Sequence, residues 1–291
     1  MSAELTVERG SAMLTDEGTS RFVQTATHRV HYNEAGSGHP VILLHGSGPG
    51  STGWSNFRAN IAYLAESFHV YAVDMPGWGR SDTQTPETGY DHVAALVAFM
   101  DELGIEKAAL VGNSMGGITS ISTAILHPGR VSHLVSMGAP VPGQNTWAAN
   151  GLSEGLKILF RTYLEPTIEN MRQVTEIMTF DSSSVGDDLA ALRLDAALAH
   201  PEHLASWNEA PGGTPLSTEY FTYGPRLAEI TAPTLAIHGR DDRVVSYEQS
   251  LRLVSAVDDS RLLLINQCGH WAQIEHADEF NRVVGEFIRN N

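Results

Sequence analysis

The sequence predicts an α/β fold: a mostly parallel sheet with helices on its faces and a helical block inserted late in the chain. Three observations predict it. Short apolar runs that read as buried strands alternate with stretches of helical periodicity. One such run, Leu110-Val111, passes through Gly112-Asn113-Ser114-Met115-Gly116 directly into a helical pattern, the strand-turn-helix context in which a serine becomes a nucleophile. Between about Gln144 and Trp207, by contrast, no strand pattern occurs.

Taken in order, His28 to Glu34 reads as a strand and is followed by a Gly36-Ser37-Gly38-His39-Pro40 turn. Val41 to Leu44, apolar throughout, reads as a strand buried on both faces, and Val70 to Asp74 as another. Tyr90 to Gly104 carries apolar residues at 93, 96, 97, 100 and 103, the spacing of an amphipathic helix ended by glycine. Met115 to His127 covers the helix behind the serine, and His133 to Met137 is the next strand. The inserted block holds helical segments at Leu152 to Tyr163, Thr167 to Thr179 and Asp187 to Ala199, divided by Pro166, the Asp181-Ser182-Ser183-Ser184 turn and Pro201. Strands resume with Thr234 to Gly239 and Arg261 to Ile265. The expected organisation is a core in two parts, residues 1–143 and 211–291, with a helical lid over 144–210 between them.

With 42% apolar residues, the chain has ample material for one large core. Its 18 basic against 34 acidic residues, formally −16, argue against nucleic acid or an anionic membrane as partner, and mean that an anionic substrate needs a local cation. The acidic N-terminal stretch lacks an apolar leader core, and no run reaches the roughly 18 apolar residues of a membrane span. A single cysteine excludes an internal disulfide and a cysteine metal cluster. A soluble, cytoplasmic protein is expected.

Glycines at 112 and 116 permit a sharp turn that projects the Ser114 hydroxyl, and the Met115 amide falls at a helix N-terminus, where it points at a developing oxyanion. The base is expected at His270, just past the last strand. The orienting acid is Asp241 or Asp242, past the preceding strand, and the Gly239-x-x-Asp count selects Asp242. The order serine, acid, histidine resembles that of the α/β-hydrolase fold, which implies an eight-stranded, mostly parallel sheet. The loop His45-Gly46-Ser47-Gly48-Pro49-Gly50 then contributes the second oxyanion donor, the amide of Ser47, while His45 is structural. Read as a dinucleotide loop, the same letters fail: the third glycine is replaced by Ser51. Cys268 is expected to be a small buried thiol, and the pairs His28/His31 and His200/His203 have no metal-ligand context.

The segments His45 to Phe57, Gly112 to Gly117 and Cys268-Gly-His-Trp-Ala-Gln-Ile-Glu-His-Ala-Asp-Glu-Phe280 together resemble the meta-cleavage product hydrolases, carbon–carbon bond hydrolases of aromatic and steroid ring degradation. The resemblance implies a Ser114, Asp242, His270 triad acting on 2-hydroxy-6-oxohexa-2,4-dienoates. It also implies a substrate pocket of Gly48, Asn56, Asn113, Arg193 and Trp271, no cofactor and no metal, and a homo-oligomer. Of the cations between 144 and 210, namely Lys157, Arg161, Arg172 and Arg193, it is Arg193 that falls on the family's lid helix, and arginine can grip a carboxylate with two parallel bonds. The bland alternative is a surface arginine paired with Asp188 or Glu202. Leu156, Phe160, Ile177, Met178 and Trp207 are candidates for the wall around the C6 substituent, or for plain helix packing. An esterase or lactonase of the same fold would need the triad without the polar pocket, and a ligand sensor would need neither complete.

Overall fold

The computed structural model describes residues 14–210 and 224–291. The expected start of the second core segment at 211 and the N-terminal stretch through 13 therefore lie outside the described residues. Eight strands form one sheet: β1 Ser20–Gln24, β2 Arg29–Gly36, β3 Pro40–Leu44, β4 His69–Val73, β5 Ala108–Asn113, β6 Val131–Met137, β7 Thr234–Gly239 and β8 Ser260–Ile265. Their order is β1-β2-β4-β3-β5-β6-β7-β8, antiparallel where β2 meets β1 and β4 and parallel elsewhere.

Helices alternate with these strands: α1 Asp16–Thr19, α2 Gly53–Ala65, α3 His92–Glu102 and α4 Met115–Leu126 before the lid, then α5 Glu154–Leu164, α6 Ile168–Met178, α7 Gly186–Ala199 and α8 Pro201–Glu209 within it. After it come α9 Glu248–Ala256, α10 Ala272–Glu275 and α11 Ala277–Asn290. The central strands β3 and β5 are apolar over Val41–Leu44 and Ala108–Val111 because both faces are covered. Val41, Leu43, Ala109 and Val111 pack with Phe57 and Ile61 of α2 and Phe280 and Val284 of α11. Their sequence neighbours Ile42, Leu44 and Leu110 pack on the other face with Leu96 and Phe99 of α3 and Ile118 and Ile121 of α4.

β1 and α2 are among the elements that the sequence does not reveal. β1 lies at the sheet edge with no clean alternation of burial, and α2 begins in a run rich in glycine and serine. Its signal was the cap: Thr52 accepts from the Ser55 amide while the Ser55 side chain accepts from the Thr52 amide. Functionally, the decisive feature is the sheet order. The chain leaves β3 toward β4 on one side and returns to β5 on the other, so a crevice opens at the carboxyl ends of β3 and β5. The loops after β3, β5, β7 and β8 all end at that rim, and α5 to α8 connect β6 to the later strands. Among the described residues no helix is long and apolar enough to cross a membrane.

Candidate active site

At the end of β5 the chain turns so tightly that Ser114 takes φ 52°, ψ −113°, a conformation that costs a side-chain-bearing residue on the order of 1–3 kcal/mol. Contacts on every side hold it there. The Ser114 amide donates to the Met137 carbonyl at 2.8 Å and the Gly116 amide to the His45 carbonyl at 3.1 Å. A Cβ at Gly112 would sit 2.2 Å from the Gly116 carbonyl oxygen, and one at Gly116 would sit 2.1 Å from that of Leu44. The glycines are therefore steric requirements of crossing strands and helix at this point. Met115 opens α4, where backbone N–H groups lack intrahelical partners.

Asp242 follows β7 and uses both carboxylate oxygens fully. Oδ1 accepts from the amides of Val244 and Val245 at 2.7 and 2.9 Å. Oδ2 lies 2.7 Å from Nδ1 of His270 and 3.2 Å from Nε2 of His238. Burial alone would raise its pKa. The opposing charge of His270 and the bonds from His238 and His270 outweigh burial and hold the carboxyl well below its usual range. An ionised carboxylate only accepts, so Nδ1 of His270 carries a proton and Nε2 is left as the basic nitrogen. Asp241 is elsewhere: it accepts from the Gln267 amide at 3.0 Å and faces Arg240. His238, which the sequence analysis did not single out, is itself oriented by Ser250 Oγ at Nδ1 (2.7 Å) and the Val245 carbonyl at Nε2 (3.0 Å). With two acceptors facing it, Nε2 is the protonated nitrogen.

His270 is placed by its loop. Its amide donates to the Met178 carbonyl at 2.7 Å, and Glu275 accepts from Gly269 N at 2.7 Å while its other oxygen accepts from the amides of Phe180 and Asp181. Gly138, with φ 52°, leaves room for the ring: a Cβ there would lie 2.9 Å from Nδ1 and Cε1 of His270. Ser114 and His270 line one cavity, and Gly46, Ser47 and Gly48 form another part of its wall. His45 braces that loop, donating through Nδ1 to the Gly46 carbonyl and accepting from the Met75 amide at Nε2. Burial lowers its pKa to about 4, so it is neutral. From the lid, the Tyr163 hydroxyl donates to the Ser47 carbonyl at 2.6 Å.

Beyond Ser114 the cavity wall turns polar. Arg193 is 1% exposed, and its guanidinium stacks 5.0 Å from the Trp271 ring. Nη2 donates to Ser51 Oγ at 2.5 Å, yet Nε and Nη1 have no partner. Gly48 makes room for it: a Cβ there would lie 2.2 Å from Nη2. Burial lowers the guanidinium pKa to about 10, which leaves it cationic at neutral pH. The alternative of a surface pairing does not occur, for Glu202 faces His200, Arg193 is buried, and no ion pair to Arg193 occurs among the described residues. Asn56 and Asn113 also line this end. Their amide nitrogens donate to the carbonyls of Thr52 and His270 respectively, leaving both Oδ1 atoms buried without a donor. A cluster of donors and acceptors this deep, without protein partners, is completed by a ligand or by ordered water.

Leu156, Leu159, Met178 and Val244 complete the wall. Of the expected lid residues, then, Leu156 and Met178 reach the cavity and three do not. Trp207 stacks on Tyr163 at 4.2 Å, Phe160 tilts against Trp207, and Ile177 packs into the core, because each faces the neighbouring helix instead. Leu159 and Val244 had no signal beyond being apolar. Cys268 is fully buried, and burial foremost, then nearby carboxylates, pushes its thiol pKa up. His31 pairs with Asp74 and His203 with Thr83, and no group of three or more potential metal ligands occurs among the described residues.

A family model described as the alpha/beta hydrolase fold matches residues 39–277. The chain is 42% identical to a 2-hydroxy-6-oxononadienedioate/2-hydroxy-6-oxononatrienedioate hydrolase of Cupriavidus pinatubonensis, covering 95% of this chain and 98% of that one. It is 41% identical, with the same coverage, to a 2-hydroxy-6-oxo-6-phenylhexa-2,4-dienoate hydrolase of Comamonas testosteroni. Its structure is similar to that of a meta-cleavage product hydrolase from Pseudomonas fluorescens IP01, a serine-to-alanine mutant complexed with acetates. That comparison has a TM-score of 0.81 and 36% identity, covering 92% of this chain and 97% of that one.

Proposed function

The chain belongs to the alpha/beta hydrolase family and, within it, to the meta-cleavage product hydrolases, and from that premise we propose that it hydrolyses a carbon–carbon bond in a 2-hydroxy-6-oxohexa-2,4-dienoate, giving a 2-hydroxypenta-2,4-dienoate and a carboxylic acid. One observation carries this reading: a fully buried guanidinium with two unpaired nitrogens shares a cavity with Ser114 and His270. A plain esterase has no use for a buried cation that costs stability unless an anion completes it. A single cysteine fits a reducing, cytoplasmic setting.

In the proposed sequence Nη1 of Arg193 donates to the substrate carboxylate, and a free Oδ1 of Asn56 or Asn113 accepts from the 2-hydroxyl. Net transfer of that proton from the 2-hydroxyl to C5, carried by water, converts the dienol into a ketone, which provides a sink for the electrons of the bond to be broken. His270 Nε2 takes the Ser114 proton as Oγ adds to C6, and the amides of Ser47 and Met115 hold the oxyanion. Collapse breaks C5–C6, its electron pair leaving with the C5 fragment as a dienolate that takes the proton from His270 Nε2, which restores that nitrogen as a base. Water, deprotonated by His270, cleaves the acyl group from Ser114. Asp242 keeps the imidazole oriented and stabilises its cationic form.

The test compares a ring-fission dienoate, followed by loss of its visible absorbance, with a neutral p-nitrophenyl ester. Arg193→Ala should lose at least about 100-fold in kcat/KM on the dienoate and less than about threefold on the ester. Equal losses on both substrates would remove the polar pocket from the reading.

A further inference from the structure

The two ends of the cavity differ in what they can solvate. At one end Arg193 lies against Gly48, Ser51 and Trp271. At the other are side chains from α5, the end of α6 and the loop after β7: Leu156, Leu159, Met178 and Val244. Val244 packs onto α5, its Cγ2 lying 2.6 Å from where a Cβ at Gly155 would be. A dienoate whose carboxylate rests on Arg193 and whose C6 carbonyl reaches Ser114 sends its C6 substituent into this second end.

Resting on the dienoate reading above, we propose that the C6 substituent is an uncharged alkyl or aryl group, and that a substituent ending in a second carboxylate is rejected. Among the described residues Arg193 is the one lysine or arginine that lines the cavity. Arg243, next to Val244 in the chain, donates to the carbonyls of Glu176 and Thr179, and Arg252 to those of Val141 and Gln144. Lys157 and Arg161 are exposed, with Arg161 donating to Gln173. The stretch 211–223, outside the described residues, contains no lysine, arginine or histidine in its sequence. A carboxylate against two leucines, a methionine and a valine would surrender its hydration with neither a countercharge nor a donor in return. An alkyl or phenyl group gains from the same transfer. Overall identity to a dienedioate hydrolase does not overrule this, because a few side chains at one end of a pocket decide it.

The experiment measures kcat/KM of the full chain for two dienoates that differ only at C6, one bearing phenyl and one bearing 2-carboxyethyl, with the neutral ester as a control. The expected result is a preference for phenyl of at least roughly 100-fold. A dicarboxylate turned over within about threefold of the phenyl substrate, or better, overturns the inference while leaving carbon–carbon cleavage intact. Hydrolysis of the ester with neither dienoate cleaved overturns the functional reading itself. A second arm uses Leu156→Arg, at a half-buried position outside the catalytic groups. It should raise the ratio of dicarboxylate to phenyl turnover by at least about tenfold, and an unchanged ratio in the folded variant counts against the proposal.

Discussion

The serine turn and the histidine loop face each other across one cavity but are held in opposite ways. The serine is positioned chiefly by the two glycines beside it: Gly112 lets β5 meet α4, and Gly116 lets α4 meet the end of β3, at distances where a single methyl group would collide with backbone. The histidine is positioned by residues distant in sequence. Met178 and Phe180 come from the lid, Gly138 from the end of β6, and His238 acts through Asp242 from β7. A short motif can specify the first arrangement. The second exists only once the lid, the sheet and the loop have come together.

Substitutions at the two loops should therefore fail differently. Ser114→Ala should lower kcat by roughly 10⁴- to 10⁶-fold with thermal unfolding nearly unchanged, since the turn's shape does not depend on the hydroxyl. Turnover near the wild-type value would end the assignment. Gly116→Ala should instead destabilise the whole protein by about 3 kcal/mol or more, or prevent its folding, because the clash is with the Leu44 carbonyl and not with a flexible side chain. A variant melting within a few degrees of wild type would show that the turn can relax, and would erase the contrast.

On the histidine side the losses should be graded and catalytic. Glu275→Gln places an amide nitrogen toward one of the N–H groups that Glu275 now accepts, loosening the Gly269 to His270 backbone from Phe180. We expect kcat to fall about 10- to 100-fold with KM for a small neutral ester little changed. An unchanged kcat would mean that the Met178 carbonyl alone positions the loop.

His238→Phe removes one of the two ring donors on Asp242 Oδ2. A carboxylate with one donor fewer holds a proton on the neighbouring imidazole more tightly. The acidic limb of kcat/KM should therefore move to higher pH, with a loss of about 3- to 10-fold at its optimum. The same change weakens acid stability. Asp242 has a depressed folded-state pKa, so its stabilisation is complete above the unfolded value and is lost as pH falls through the folded one. An unmoved limb would reduce His238 to packing. Least of all, Asp241→Asn should change kcat less than about twofold, since that carboxylate only caps the Gln267 amide and faces Arg240.

This contrast also explains what could be read from letters alone. The turn at Ser114, the buried strands and the order of acid and histidine were legible because each is set by local sterics or by period. Asp242 over Asp241 needed only a count from Gly239. Arg193 was legible as the needed cation through family resemblance, but not as a buried one, because a lone arginine on a helix of mixed polarity usually faces water. Gly138, His238, Leu159 and Val244 carried no signal. Their roles depend on which side chain arrives from another part of the chain, and α2 was hidden because its opening turn uses the residue types of a loop.

Tyr163 reaches down to the Ser47 carbonyl, and Met178 offers its own carbonyl to the amides of His270 and Trp271. The cap and the chemistry thus share fasteners. Exchanging this cap for that of a relative in order to graft a new substrate range would also exchange two of the clamps that hold the Ser47 loop and the proposed base, His270. A working chimera must carry those two contacts across the splice, wherever its boundaries are drawn.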